Sequence, residues 1–181
     1  MPARAGRQRA EEGQILPALL GFALAILGIA VVLFQVGRAA DLRGRAQTAA
    51  DAGAIAAAES VRQQYAEGIH QCNCPNQSMI LDPAAAGAAI DYAARNRARL
   101  EQFERLGLVV RVSVGTFAGL SDQDAAPLLG DSSGHAGARA KVFTDPALWP
   151  LAAAYTLAEQ QIPVQVVLRF LHVRLVPDPE D

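Results

Sequence analysis

The sequence predicts an α+β protein, on three observations. Residues 15–34 form a run of twenty without a charge. Residues 37–69 contain no proline and repeat small or apolar side chains every three or four positions. Residues 108–114, LVVRVSV, are β-branched with partial alternation. These patterns give one N-terminal transmembrane helix continuing into a long Ala-rich helix, a second helix packed on it, and a small, mostly antiparallel sheet of about three strands.

The apolar run ILPALLGFALAILGIAVVLF matches the hydrocarbon thickness, because a helix rising about 1.5 Å per residue covers about 30 Å in twenty residues. Thirteen of the twenty are Leu, Ile, Val or Phe. At the helix centre such residues contribute at most about −4 to −8 kcal/mol together. Pro17 is expected in the first turn, where a missing N–H costs least. Gly21, Ala25 and Gly28 form a small-residue stripe that would let another helix approach closely. A cleaved secretory signal is the competing reading, but the run exceeds the usual apolar region and is followed by Gly37-Arg38-Ala39-Ala40. Arg4, Arg7 and Arg9 on one flank balance Arg38, Arg43 and Arg45 on the other, so charge does not set the orientation.

Beyond the span, Leu42, Ala46, Ala50, Ala54, Ala57, Val61, Tyr65 and Ile69 fall on one helical stripe that needs a partner surface. Asp41 and Arg45 are spaced for an i,i+4 pair. His70 to Asn76 should end this helix, since Pro75 forbids continuation. Asp82-Pro83 then supplies a cap with proline at the first helical position, and residues 84–106 read as the second helix, stopped by Gly107. Ile90, Ala94, Leu100, Phe103 and Leu106 would form its apolar face, with Arg95, Arg97 and Arg99 largely opposite.

In the strand at 108–114 the inward set is Leu108, Val110, Val112 and Val114. Residues 119–137 are dense in Gly, Ser and Asp and read as a long loop, followed by a short strand at 138–144 bounded by Asp145-Pro146. Residues 146–161 are partly helical in expectation, limited by Pro150. The final segment, PVQVVLRFLHVRLV, is apolar at even positions up to Phe170 and at odd positions from Leu171, which reads as a strand with a β-bulge.

Composition narrows the chemistry. With 16 basic and 18 acidic residues the formal charge is −2, so no basic field tracks a nucleic acid and none is expected as partner. Much of the apolar content outside the span is alanine, so the domain's core should be thin. His70, Cys72 and Cys74 are one ligand short of a closed zinc site. The two cysteines are a candidate disulfide, local or to another chain, with free thiols and metal binding as alternatives. Asp131, Ser132, Ser133 and His135 hold the letters of a hydrolase triad, but on one flexible loop rather than on rigid elements. His172, beside Arg174 in the last strand, reads as a surface histidine, and no phosphate-cradling or dinucleotide-binding glycine motif occurs. No catalytic residue, metal or cofactor is assigned.

The segment GQILPALLGFALAILGIAVVLFQVGRAADLRGRAQTAADAGAIAAA, from residue 13 to about 60, resembles the N-terminal segment of TadE-like and TadG-like proteins of the tight-adherence (Flp) pilus system. The carriers are Gly13-Gln14 before the span, Gly37-Arg38 at its end, then Arg45, Gln47, Ala50, Asp51 and the alanines 56–58. The resemblance implies a non-enzymatic pilus or secretion component, anchored in the cytoplasmic membrane with its N-terminus in the cytoplasm and its C-terminal domain outside. Its partners would be the lipid bilayer and other subunits of the apparatus, or further copies of itself, in a pilin-like arrangement. The implied division is a cytoplasmic tail at 1–14, a transmembrane helix at 15–36, an extension helix at 37–70 and an extracytoplasmic α+β domain at 71–181. Gly13 and Gln14 form a candidate leader-peptidase junction, although Ala18 stands where pilin-type substrates carry glutamate and Gln35 where this family often has an acid. The alternatives in function are a single-pass secretion accessory or sensor, and a membrane-tethered hydrolase or metal-binding protein using the 131–135 loop or His70, Cys72 and Cys74.

Overall fold

The computed structural model describes residues 5–75, 77, 80–116 and 134–177, with side chains from Pro17 onward. The elements in chain order are α1 (Ala5–Cys72), α2 (Asp82–Arg95), β1 (Ala98–Leu106), β2 (Val109–Thr116), β3 (His135–Thr144), α3 (Leu148–Leu157), α4 (Val164–Arg169) and β4 (Leu171–Val176). The fold is α+β, with a four-stranded antiparallel meander in the order β1-β2-β3-β4. Two compact units divide at Asp41/Leu42.

In the first unit the helix begins earlier than the apolar run. Residues 5–14 are mostly Ala, Arg, Gln and Glu, all good helix formers, so Pro17 lies inside α1 and not in its first turn. The missing proline N–H therefore interrupts the hydrogen-bond ladder within a continuing helix.

In the second unit the sheet buries one face. Val110, Val112 and Val114 of β2 and Ala140 and Val142 of β3 are buried, as expected from strand alternation. They form one core with Ala49, Ala50, Ala54, Ala57, Ala58, Val61, Tyr65 and Ile69 of α1 and with Ala85, Ala89 and Ala93 of α2. Gly53 sits where a Cβ would meet Val112 Cγ1 at 3.5 Å and the Ala89 carbonyl oxygen at 3.6 Å. The alanine faces of the two helices and the valines of β2 thus meet at close range. Leu148, Ile162, Val167 and Leu171 extend the core beneath α3 and α4. Each fully buried Val, Leu or Ile contributes roughly 1.5–3 kcal/mol, whereas a buried alanine removes far less area from water.

Two elements differ from expectation. The predicted second helix at 84–106 splits, because α2 ends at Arg95 and Arg97 takes a left-handed conformation with φ 56°. Residues 98–106 then run as β1, with a bulge between Leu100 and Gln102. Leu100, Phe103 and Leu106 step by three and mimic a helix face, but Ala98, Leu100 and Phe103 face the core only through the bulge, and Leu106 is 71% exposed. Gly107, with φ 62°, is not a helix stop; it is the first residue of a two-residue hairpin turn between β1 and β2. The sheet therefore has four strands rather than three, which pairs β2 on both edges.

The phase flip at Phe170/Leu171 is likewise no bulge. It marks the change from α4, which starts after Pro163, to β4, whose residues 171–176 pair with 139–144. Val164, Val167 and Leu168 follow helical spacing, whereas 171–176 alternate. Elsewhere β2 starts at Val109, with Leu108 in the turn. The strand expected at 138–144 starts earlier, at His135, so residues 135–137 belong to β3 and not to the loop. Residues 119–133 of that expected loop lie outside the described residues. Its neck is closed by Thr116, whose N–H donates to the Gly134 carbonyl at 2.8 Å and whose hydroxyl accepts from the Gly134 N–H at 2.9 Å. Gly134 tolerates no side chain, because a Cβ there would lie 2.7 Å from the Leu42 carbonyl oxygen.

Candidate membrane anchor and association surface

The first site is the apolar stretch of α1. From Leu19 to Val36 every large apolar side chain is exposed, from 48% at Val31 to 73% at Phe34. A helix whose apolar side chains are exposed on all sides among the described residues suits lipid rather than water. This is the one helix long and apolar enough to cross a membrane among the described residues. Gly21, Ala25 and Gly28 share one side of it by their i, i+4, i+7 spacing, and a Cβ at either glycine would meet nothing within 4 Å. Gly13 and Gln14 lie in the helical backbone of α1.

The second site is the Ala-rich half of the same helix. Gln47 donates to Asp51 Oδ1 at 2.9 Å, tying the polar carriers of the resemblance together one turn apart. Ala46, Ala49, Ala50, Ala57 and Ala58 are fully buried, so the alanines allow close packing rather than chemistry. Burial also raises the Tyr65 phenol above its usual pKa of 10.0. On the outer side an open groove of about 610 Å³ runs between α1 and α2, lined by Ala52, Ile55, Ala56, Glu59, Ala88 and Tyr92 among others. Sequence reading missed it because α2 contributes only Ala88 and Tyr92, and the α1 residues that line it mix alanine with polar side chains.

The His70, Cys72 and Cys74 cluster is built into the end of α1. A disulfide joins Cys72 to Cys74. Asn73 between them is in the left-handed region with φ 51°, and its N–H caps the helix on the Ile69 carbonyl at 2.7 Å. Its side-chain amide donates to the Gln160 carbonyl at 2.7 Å and accepts from the Ile162 N–H at 3.0 Å. His70 Nδ1 lies 2.8 Å from the Ile162 carbonyl. These contacts pin the loop between α3 and α4 to the end of α1. Among the described residues no three His, Cys, Asp or Glu side chains converge as a metal site.

The hydrolase letters are only partly placed, since Asp131, Ser132 and Ser133 lie outside the described residues. His135 opens β3, with Nδ1 3.1 Å from the Glu101 carboxylate. His172 is exposed on β4, opposite Phe143.

No curated protein and no solved structure matches the chain. One protein family does: the Tad family model, described as Flp pilus-assembly TadE/G-like, matches residues 13–61. That stretch holds both the exposed apolar helix and most of the alanine face, and together they mark a membrane-anchored protein. The resemblance carried by residues 13 to about 60 is thus borne out, and this N-terminal segment is TadE/G-like.

Proposed function

We propose that the protein is a minor pilin-like or pilus-assembly component of a Flp/Tad apparatus that acts by helix-mediated association and not by turnover. The match over residues 13–61 supports this reading, because it covers a helix with an uncovered apolar stretch and an alanine face packed on a sheet. In this reading residues 1–14 are a cytoplasmic tail, 15–36 cross the membrane, 37–70 extend the helix, and 71–181 form an extracytoplasmic domain. The bilayer holds the span, and the stripe of Gly21, Ala25 and Gly28 meets a helix of another subunit or of a second copy. The Cys72–Cys74 disulfide suits a domain on the oxidising side of the membrane. Gly13-Gln14 is the junction at which a leader peptidase would cut.

Intact mass of the membrane-extracted protein, with protease access from either side, tests the reading. Retention of the span with residues 71–181 cleaved only from outside supports it. A mature chain beginning near Ala40, or a domain cleaved only from the cytoplasmic side, overturns it.

A further inference from the structure

The loop between α3 and α4 is held from a distance. The Asn73 side chain accepts from the Ile162 N–H at 3.0 Å and donates to the Gln160 carbonyl at 2.7 Å. His70 Nδ1 lies 2.8 Å from the Ile162 carbonyl, which can only accept, so that nitrogen carries the proton. Among the described residues, the hydrogen bonds that tie 158–162 to another part of the fold end on these two side chains; those of Ala158, Glu159 and Gln160 N–H return to α3. The loop's own chemistry holds it poorly, since Glu159 is left-handed with φ 55° and Leu157 is 87% exposed. Ile162, by contrast, is fully buried in the core.

Asn73 is in turn held by its neighbours. Its φ of 51° aims the amide at the loop, and a return to helical φ would swing the amide away from both partners. Cys72 and Cys74 flank it in a disulfide with a sequence separation of 2, a ring too short to restrain much of the unfolded chain. The ring's effect is therefore local, and it falls on the residue whose conformation the clamp requires.

From this we infer that the Cys72–Cys74 disulfide is a redox-sensitive latch on the α3–α4 loop. A dithiol reductant attacks at Cys72, an exposed residue; the S–S bond breaks, a mixed disulfide forms, and Cys74 leaves as a thiolate that takes a proton. The reductant's second thiolate then displaces Cys72, which is protonated in turn. Two electrons pass to the protein, and the reductant becomes a disulfide. Freed of the ring, Asn73 leaves its left-handed state, its two bonds to the loop are lost, and residues 158–162 open locally while the sheet stays folded. The inference rests on the clamp geometry and is independent of the pilus reading.

The test is backbone hydrogen exchange on the full chain in zwitterionic nanodiscs, with and without dithiothreitol, and with the thiols counted by alkylation and intact mass. Reduction should add two labels and speed exchange at 158–162 about tenfold, while 109–116 in β2 is unchanged. Asn73→Ala should show the same fast exchange with its disulfide intact, and Cys72→Ser/Cys74→Ser should show it without responding to dithiothreitol. A disulfide that dithiothreitol leaves closed, a reduced protein whose 158–162 exchanges as slowly as before, a rise shared equally by 109–116, or an Asn73→Ala loop as protected as wild type would each overturn it.

Discussion

Residues 17–36 and 42–72 of α1 draw on similar letters, with Ala, Gly and aliphatic side chains in both, yet their burial is opposite. In the first stretch every large apolar residue is exposed, while in the second the buried positions are mostly alanine, with Val61, Tyr65 and Ile69 toward the end. Side-chain size accounts for the difference. A face meant for another backbone must be small, as at Gly53 against Ala89, whereas a helix solvated by lipid gains from bulk on every side. Alanine in a TadE/G-like segment is therefore not filler; it sets how near α1 comes to α2 and β2.

The sharpest way to break this comparison is to charge the exposed stretch. Leu24→Asp/Leu27→Asp should cost about 6–8 kcal/mol of insertion, near the whole gain from the span, and release the protein into an alkaline carbonate supernatant. Unfolding of the domain at 42–177 should be unchanged. Retention in the membrane pellet would mean that something other than the apolar stretch holds the protein there.

Next in size is a change at the point of closest packing. Gly53→Leu should lower domain stability by about 1–3 kcal/mol through overpacking against Val112 and Ala89. Gly53→Ala places a Cβ at ordinary contact distance and should stabilise by up to about 1 kcal/mol through helix propensity. Denaturant titrations of both variants would check this, and a harmless leucine would show that the two helices are not closely packed.

The smallest effect is a pH dependence confined to the buried half of the helix. The Tyr65 phenol is raised by burial, so the folded state keeps its proton where the unfolded chain loses it. Its contribution is fully present below pH 10.0 and declines as pH rises above that value toward the folded pKa. Tyr65→Phe should flatten that part of the alkaline unfolding profile, and an unchanged slope would assign it to other groups.

Long, uniform patterns were legible without coordinates. The uncharged run, the stripe from Leu42 to Ile69 and the valine alternation of β2 each hold one period over enough residues to exclude other structures. The TadE/G-like carriers were readable for the same reason, being a local pattern within one helix. Short segments were not. Residues 98–106 carry apolar side chains at spacings that suit a helix, or a strand with one bulge, and residues 164–170 suit a strand or a turn of helix.

What the sequence alone determined is the long helix with its apolar run and the central strand β2, because backbone periodicity and side-chain size act within a few residues. What only the tertiary structure decided is that β1 exists to pair the edge of β2 and that Asn73 clamps the loop at 160–162. Those outcomes depend on groups distant along the chain, whose meeting is set by hydrogen-bond register and by burial of a shared core.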